Sequence, residues 1–234
     1  MTNNKQKTLT APAENSYKIK KMVILGIITA MAFVSVVFFR LPIIPSVPFL
    51  DLEFKSAIIL IGAFIFGPLS GLSMTLAVCI IEMFTISDTG VIGCIMNILS
   101  TACLVCPAAF VYKKKQTALR AIIGVIIGAI LMTFAMVLWN YIVTPIYMGV
   151  PREMVVKLLI PAFIPFNLLK AGLNGGVALF IYKFAITALQ KANLIPKKEN
   201  DNKSSLTGII GTVVLSVFII LTCILIILAF NGVF

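Results

Sequence analysis

The sequence predicts an all-α integral membrane protein, a bundle of six helices with one further transmembrane helix appended on its C-terminal side. Three observations predict it. The 234 residues are 60% hydrophobic and only 12% charged, against about 25% charged in a soluble domain. Mean hydropathy is +1.10. The apolar residues come in long runs separated by short polar or basic stretches, and about 20 apolar residues in a helix span the hydrocarbon core of a bilayer.

Taken in order, the runs place helices over 22–39, 55–67, 69–86, 91–112, 119–143, 158–188 and 206–230. Residues 1–19 form a basic polar tail. The first run is too long for a signal-peptide core and has no small-residue cleavage site near its end, so it reads as a membrane helix. The second run is short, and Gly67-Pro68 marks the turn into the third. Pro161 and Pro165 predict a bend or a separate short helix at the start of the sixth. Residues 193–205, NLIPKKENDNKSS, read as a polar linker. The compact unit is therefore 20–192, with 206–230 added as a peripheral, lipid-facing helix. No internal repeat is visible.

The formal charge is +11. Its placement follows topology. Lys5, Lys7, Lys18, Lys20 and Lys21 lie in the tail. Lys113, Lys114, Lys115 and Arg120 follow the fourth helix, and Lys183, Lys191, Lys197, Lys198 and Lys203 precede the seventh. Up-down threading puts these stretches on one side, which the positive-inside rule assigns to the cytoplasm together with the N-terminus. Loops 40–54, 85–90 and 144–157 then face outward, with Arg40, Lys55, Arg152 and Lys157. This accounts for the charge without nucleic acid as a partner; the expected surroundings are membrane lipid.

Several chemistries are excluded. The chain has no histidine, which removes the usual metal ligand and general base. All five cysteines fall in apolar segments. Cys103 and Cys106 make a C-x-x-C mid-helix, outside the βαβ setting of a redox motif, and read as small membrane residues. No G-x-x-x-x-G-K-[ST] loop occurs. No catalytic set, metal site or cofactor is expected, so the chain reads as a binding protein that takes its energy from elsewhere.

The polar residues inside the helices carry the functional signal. FNLLKAGLNGG, 166–176, holds Lys170 with Asn167 three residues before it and Asn174 four after, all on one helix face. An ionisable group within a membrane segment is a site candidate by default. Asn140, Asn97 and Glu82 lie toward the outer ends of their helices, so the polar groups gather near the outer face. The loop LPIIPSVPFLDLE, 41–53, is stiffened by Pro42, Pro45 and Pro48. It carries Ile43, Ile44, Val47, Phe49 and Leu50, which suits a cover over that region. Apolar walls with a few placed polar groups describe a small-molecule pocket, and amides offer donor and acceptor side by side. The competing reading makes the asparagines interhelical hydrogen-bond partners and pairs Lys170 with Glu82. On the first helix, Gly26 and Ala30 are spaced for close helix approach, either to a membrane partner or within the bundle.

FLDLEFK, GAFIFGPLSG, TISDTGVIGCIMNILS, LWNYIVTPIYMGVP and LIPAFIPFNLLKAGLN follow one another in the order found in one family. Over residues 20–190 the chain resembles the riboflavin-specific substrate-binding (S) subunits of the energy-coupling factor (ECF) transporters, the RibU family. NYIVTPIYMG and PFNLLKAGLN are the specific parts. The resemblance implies a six-helix S-component bundle with riboflavin, and as a second ligand flavin mononucleotide, held near the outer face under the first loop. It implies a membrane coupling subunit and two cytoplasmic ATPases as partners. It maps ring contacts to Asn167, Lys170 and Asn140, loop cover and backbone contacts to Phe49, Leu50 and Asp51, and coupling-subunit contact to Gly26 and Ala30. Thr89 and Asn97 are added to the ligand set as polar groups near the outer face. The family pattern ends after six helices, so the seventh is a departure. The alternatives are an S subunit for another vitamin, a membrane ligand sensor without transport, and an enzyme on lipid-linked substrates, against which the missing histidine and carboxylate clusters count.

Overall fold

A computed structural model describes residues 11–44, 47, 49–195 and 206–230. Half of the expected tail, Pro45, Pro48 and most of the linker lie outside them. The elements are helix α1 (Ala11–Phe38), strands β1 (Leu41–Pro42) and β2 (Asp51–Leu52), α2 (Lys55–Phe66), α3 (Pro68–Thr85), α4 (Gly90–Lys114), α5 (Ala118–Ile142), α6 (Thr144–Met148), α7 (Arg152–Leu158), a π-helical turn (Leu159–Phe163), α8 (Ile164–Lys191) and α9 (Leu206–Phe230). Helix α1 begins earlier than expected, because the charged stretch before residue 22 continues the helix beyond the apolar run.

Among the described residues six helical stretches are long and apolar enough to cross a membrane: α1, α3, α4, α5, the run from α7 through α8, and α9. Helix α2 has 12 residues, about 18 Å of helix. It is the centre of the bundle. Helices α1, α3, α4 and α8 surround it, and Ala57, Ile59, Leu60 and Ala63 are almost fully enclosed. The protein is a multi-pass membrane protein of six bundle helices, α1–α5 and α8, plus α9.

Local chemistry sets the joints. Gly67, at φ +94°, takes a backbone shape that residues with a Cβ avoid. Pro68 follows as the first residue of α3, where its missing amide costs nothing. At the start of α8, Pro161 and Pro165 lack amide donors. The helix widens there, and Ile164 N–H bonds to Leu159 O, five residues back. The expected break is thus a π turn, and residues 152–191 run as one 40-residue span.

Apolar burial drives little association between helices already in lipid, so close packing matters more. Gly124 of α5 lies against the α4 backbone, where a Cβ would come 2.7 Å from Ala108 O. Gly128, one turn on, lies closer still to Leu104 O. At one end of the bundle Lys21 sits over the Phe66 ring at 5.8 Å, and the Gly67 turn approaches Lys113; this is the basic end. The opposite end carries the 39–54 loop, the α3–α4 turn, α6 and α7.

Gly128→Leu should lower stability by about 3 kcal/mol through overpacking, read as a fall in melting temperature in detergent. Gly26→Leu, at a position with no atom within 4 Å of a built Cβ, should leave the melting temperature unchanged.

Candidate functional site

The stretch FLDLEFK, 49–55, alternates apolar with charged side chains. Asp51 and Leu52 form β2, which pairs antiparallel with β1 (Leu41 opposite Leu52, Pro42 opposite Asp51). The ribbon folds the loop back onto the bundle. Ile43, Ile44, Val47, Leu50 and Leu52 bury against Val155, Ala162, Phe163, Phe166 and Leu169 of α7, the π turn and α8. The Phe49 ring stands edge-on to Tyr147 at 5.6 Å. The loop is therefore the expected apolar cover.

The charged residues of the same stretch turn inward. Glu53 Oε1 accepts from Lys170 Nζ at 2.9 Å and pairs with Lys55 Nζ at 3.1 Å. Lys55 also donates to Glu82 Oε2 of α3. Glu82, Lys55, Glu53 and Lys170 form an alternating chain of charge, each residue at most 6% exposed. Burial works to raise the Glu53 pKa, and the charges of Lys170 and Lys55 outweigh it, holding the carboxyl well below its usual range. Asn174 braces the chain. Its Nδ2 donates to Glu53 O and Lys170 O, both at 2.9 Å, and its Oδ1 accepts from Ala57 N–H at 2.8 Å. That N–H, in the first turn of α2, also reaches Phe54 O at 3.1 Å; the N-cap residue offers no side-chain acceptor, so α8 adds a second one.

Above this chain lies a cavity of about 570 Å³, counting the part open to solvent. Phe49, Leu50, Asp51, Thr89, Asn97, Asn167 and Lys170 all line it, with Arg40, Glu53, Glu82, Ser87, Met96, Met136 and Phe166 among others. Five regions of the chain, 100 or more residues apart at their extremes, thus converge on one space. Lys170 Nζ also donates to Asp51 O at 3.3 Å. With Glu53, that engages two of its three N–H groups. Asn167 Nδ2 donates to Phe163 O at 2.7 Å, which leaves its oxygen to accept. A smaller apolar cavity of about 240 Å³, walled by Ile92, Met96, Trp139, Val143 and Tyr147, adjoins at Phe49 and Thr89.

Asn140 is placed elsewhere. It is fully buried, its Nδ2 donates to Met136 O at 2.7 Å, and its Oδ1 accepts from Thr144 Oγ1 at 2.8 Å. It ties α5 to α6 and is not among the residues lining either cavity. The pairing of Lys170 with Glu82 offered by the competing reading is not the one found: Glu53 is the partner, and Lys55 stands between Glu53 and Glu82. Lys55, counted with the outward charges, has no exposed surface. Gly26 and Ala30 lie on the exposed face of α1, away from the cavity.

Arg40, Glu53 and Lys55 are the residues that the sequence reading missed. Arg40 Nη1 donates to Ile86 O at 2.9 Å, and its Nε pairs with Asp51 Oδ2. It locks the loop to the α3–α4 turn at the cavity mouth. Partial burial works against its charge, but Asp51, followed by Asp88 and Glu53, raises its pKa. The usable signal was the alternation in DLEFK, which sets charge on one side and apolar groups on the other.

Lys55→Met should destabilise the protein by about 3–5 kcal/mol, because it leaves Glu53 and Glu82 buried side by side. Lys55→Met combined with Glu82→Leu should recover part of that loss. Equal melting temperatures for the wild type and Lys55→Met would show that the chain of charge is not what holds α2.

The family model of the ECF transporter substrate-specific component matches residues 20–182. The Riboflavin transporter RibU of Streptococcus thermophilus is 30% identical over 161 residues, 64% of this chain and 75% of that one. The Riboflavin transporter RibU of Staphylococcus aureus is 28% identical over 178 residues, 72% and 92% of the two chains. The Riboflavin transporter FmnP of Bacillus subtilis is 25% identical over 163 residues, 65% and 85%. A solved structure of the S component of a bacterial ECF transporter aligns with a TM-score of 0.63 at 28% identity, covering 74% of this chain and 99% of that one. The family match ends before α9, and the chain belongs to the substrate-specific components of the ECF transporters.

Proposed function

We propose that this protein is the riboflavin-binding subunit of an ECF importer, which holds the vitamin in the cavity under the 39–54 loop and passes it inward when joined to a membrane coupling subunit and two cytoplasmic ATPases. One observation carries the reading: Phe49, Leu50, Asp51, Thr89, Asn97, Asn167 and Lys170, drawn from distant parts of the chain, line a single cavity. Relatives named as riboflavin transporters point to the ligand.

The chemistry of the cavity suits a flavin. Isoalloxazine is flat, apolar on both faces, and carries carbonyls and an N–H along one edge. Lys170 keeps one N–H for a ring carbonyl, and the oxygen of Asn167 accepts from a ring N–H. Phe49, Met96, Met136 and Phe166 offer apolar surface to the ring. The ribityl hydroxyls meet Ser87, Thr89 and Asn97. The ammonium of Lys170 is tolerable in this setting because Glu53 neutralises it before any ligand arrives. Asn140 acts at one remove, by holding the α5–α6 joint beside the apolar side cavity.

Catalysis is not part of this reading, since the buried carboxylates are bound to lysines rather than poised as acid and base. The basic end faces the cytoplasm, with the N-terminus, by the positive-inside rule. The exposed face of α1 at Gly26 and Ala30 then offers small residues to the coupling subunit.

Riboflavin added to the purified protein should lose its fluorescence at near one-to-one stoichiometry. Asn167→Leu and Lys170→Met should each weaken binding by at least tenfold, about 1.4 kcal/mol. Absence of quenching, with another vitamin bound instead, would keep the cavity and change the cargo. Gly26→Leu should retain binding and lose co-purification with the coupling subunit; retained assembly would remove α1 from that contact.

A further inference from the structure

Helix α9 lies outside the family match, yet it is not loosely attached. It runs along α8 and also meets α5. Its seat on α8 is Gly172 and Gly176, one helical turn apart. A Cβ at Gly172 would lie 3.3 Å from Cys223 Sγ. One at Gly176 would lie 3.1 Å from Ile220 Cγ1 and 3.5 Å from Ser216 O. The two backbones approach as closely as they do because both glycines lack a side chain. On α9, Thr212, Ser216 and Cys223 are buried at the contact, while Ile210, Val214, Phe218, Leu221 and Leu225 point outward. Ser216 keeps its hydroxyl satisfied within its own helix, donating to Thr212 O.

The position of this seat gives it meaning. Gly172 and Gly176 interleave on α8 with Asn167, Lys170 and Asn174, so α8 is held between the cavity and α9. Ile219, Ile220, Cys223 and Ile227 of α9 join the apolar cluster that contains Leu169 and Leu173 of α8 and Ile43, Val47, Leu50 and Leu52 of the covering loop. Cover, ligand-bearing helix and added helix share one packed unit. A helix serving only as a lipid anchor would need neither the matched glycines nor a place in that cluster.

We infer that α9 is a brace that positions α8 and the covering loop over the cavity, so that its seat (Gly172, Gly176, Ser216 and Cys223) governs how long the cargo is retained. The inference rests on the reading that riboflavin occupies the cavity. Bracing acts after capture, so it affects dissociation more than association, as most affinity changes within one interface do.

The test compares the full chain with a chain ending at Ser205, with Gly172→Val, and with Gly172→Val combined with Cys223→Ala. Riboflavin dissociation is followed by fluorescence recovery, and amide exchange at 49–53 is measured in ligand-free protein. The shortened chain and Gly172→Val should release riboflavin about tenfold faster, with association changed less than about twofold, and should exchange faster at 49–53. Removing the Cys223 sulfur should restore most of the slow release, which general loss of structure would not allow. Unchanged release and unchanged exchange would overturn the brace. If the shortened chain does not fold, the Gly172→Val pair decides. If the full chain fails to quench riboflavin, the cargo assignment falls, and exchange at 49–53 still decides the brace.

Discussion

The structure depends on one chain of buried charge, Glu82–Lys55–Glu53–Lys170. Each link is costly alone in a low-dielectric interior and tolerable only as a member of the series. Two of the links sit at the wrong end of their helices. Lys55 opens α2, where the helix dipole repels a cation, and Glu82 lies in the last turn of α3, where it repels an anion. Each offsets the other's misplacement. Glu53, just before α2, is favourably placed and bridges both lysines. The chain therefore fixes α2, α3, α8 and the root of the loop relative to one another, and the cavity floor follows from that.

The helices were legible in the sequence because lipid leaves a chain little choice: backbone groups must bond within the segment, and hydropathy marks where. The covering loop was legible too, since Ile43, Val47 and Leu50 made no sense as exposed residues. Lys170 and Asn167 stood out as polar groups in an apolar run. Lys55 and Glu53 did not. A charge beside an apolar run looks like its boundary, and only a partner from another element, 27 residues away for Lys55 and 117 for Glu53, turns it into an interior residue. Asn140 is a different case. Its depth was read correctly, but its amide is engaged by the carbonyl and hydroxyl on either side of it along the chain, which spacing alone does not reveal.

Small residues do in this protein what large apolar ones do in a soluble core. Gly124 and Gly128 bring α5 onto α4, and Gly172 and Gly176 bring α9 onto α8. Large aromatics pack at both ends, Phe64, Tyr112 and Tyr182 toward the basic end and Phe49, Tyr147 and Phe163 under the loop. The outer half keeps a cavity, covered by the loop, which packs on α7, the π turn and α8.

The chain of charge also orders the protein's birth. Glu53, Lys55 and Glu82 enter the membrane with the first three helices, long before Lys170 is synthesised. Until α8 arrives, that early group carries one negative charge in excess, and Ala57 N–H has only Phe54 O as its partner. Insertion of α8 supplies the balancing charge and a second acceptor in one step. The floor of the cavity is therefore completed only when α8 joins the bundle.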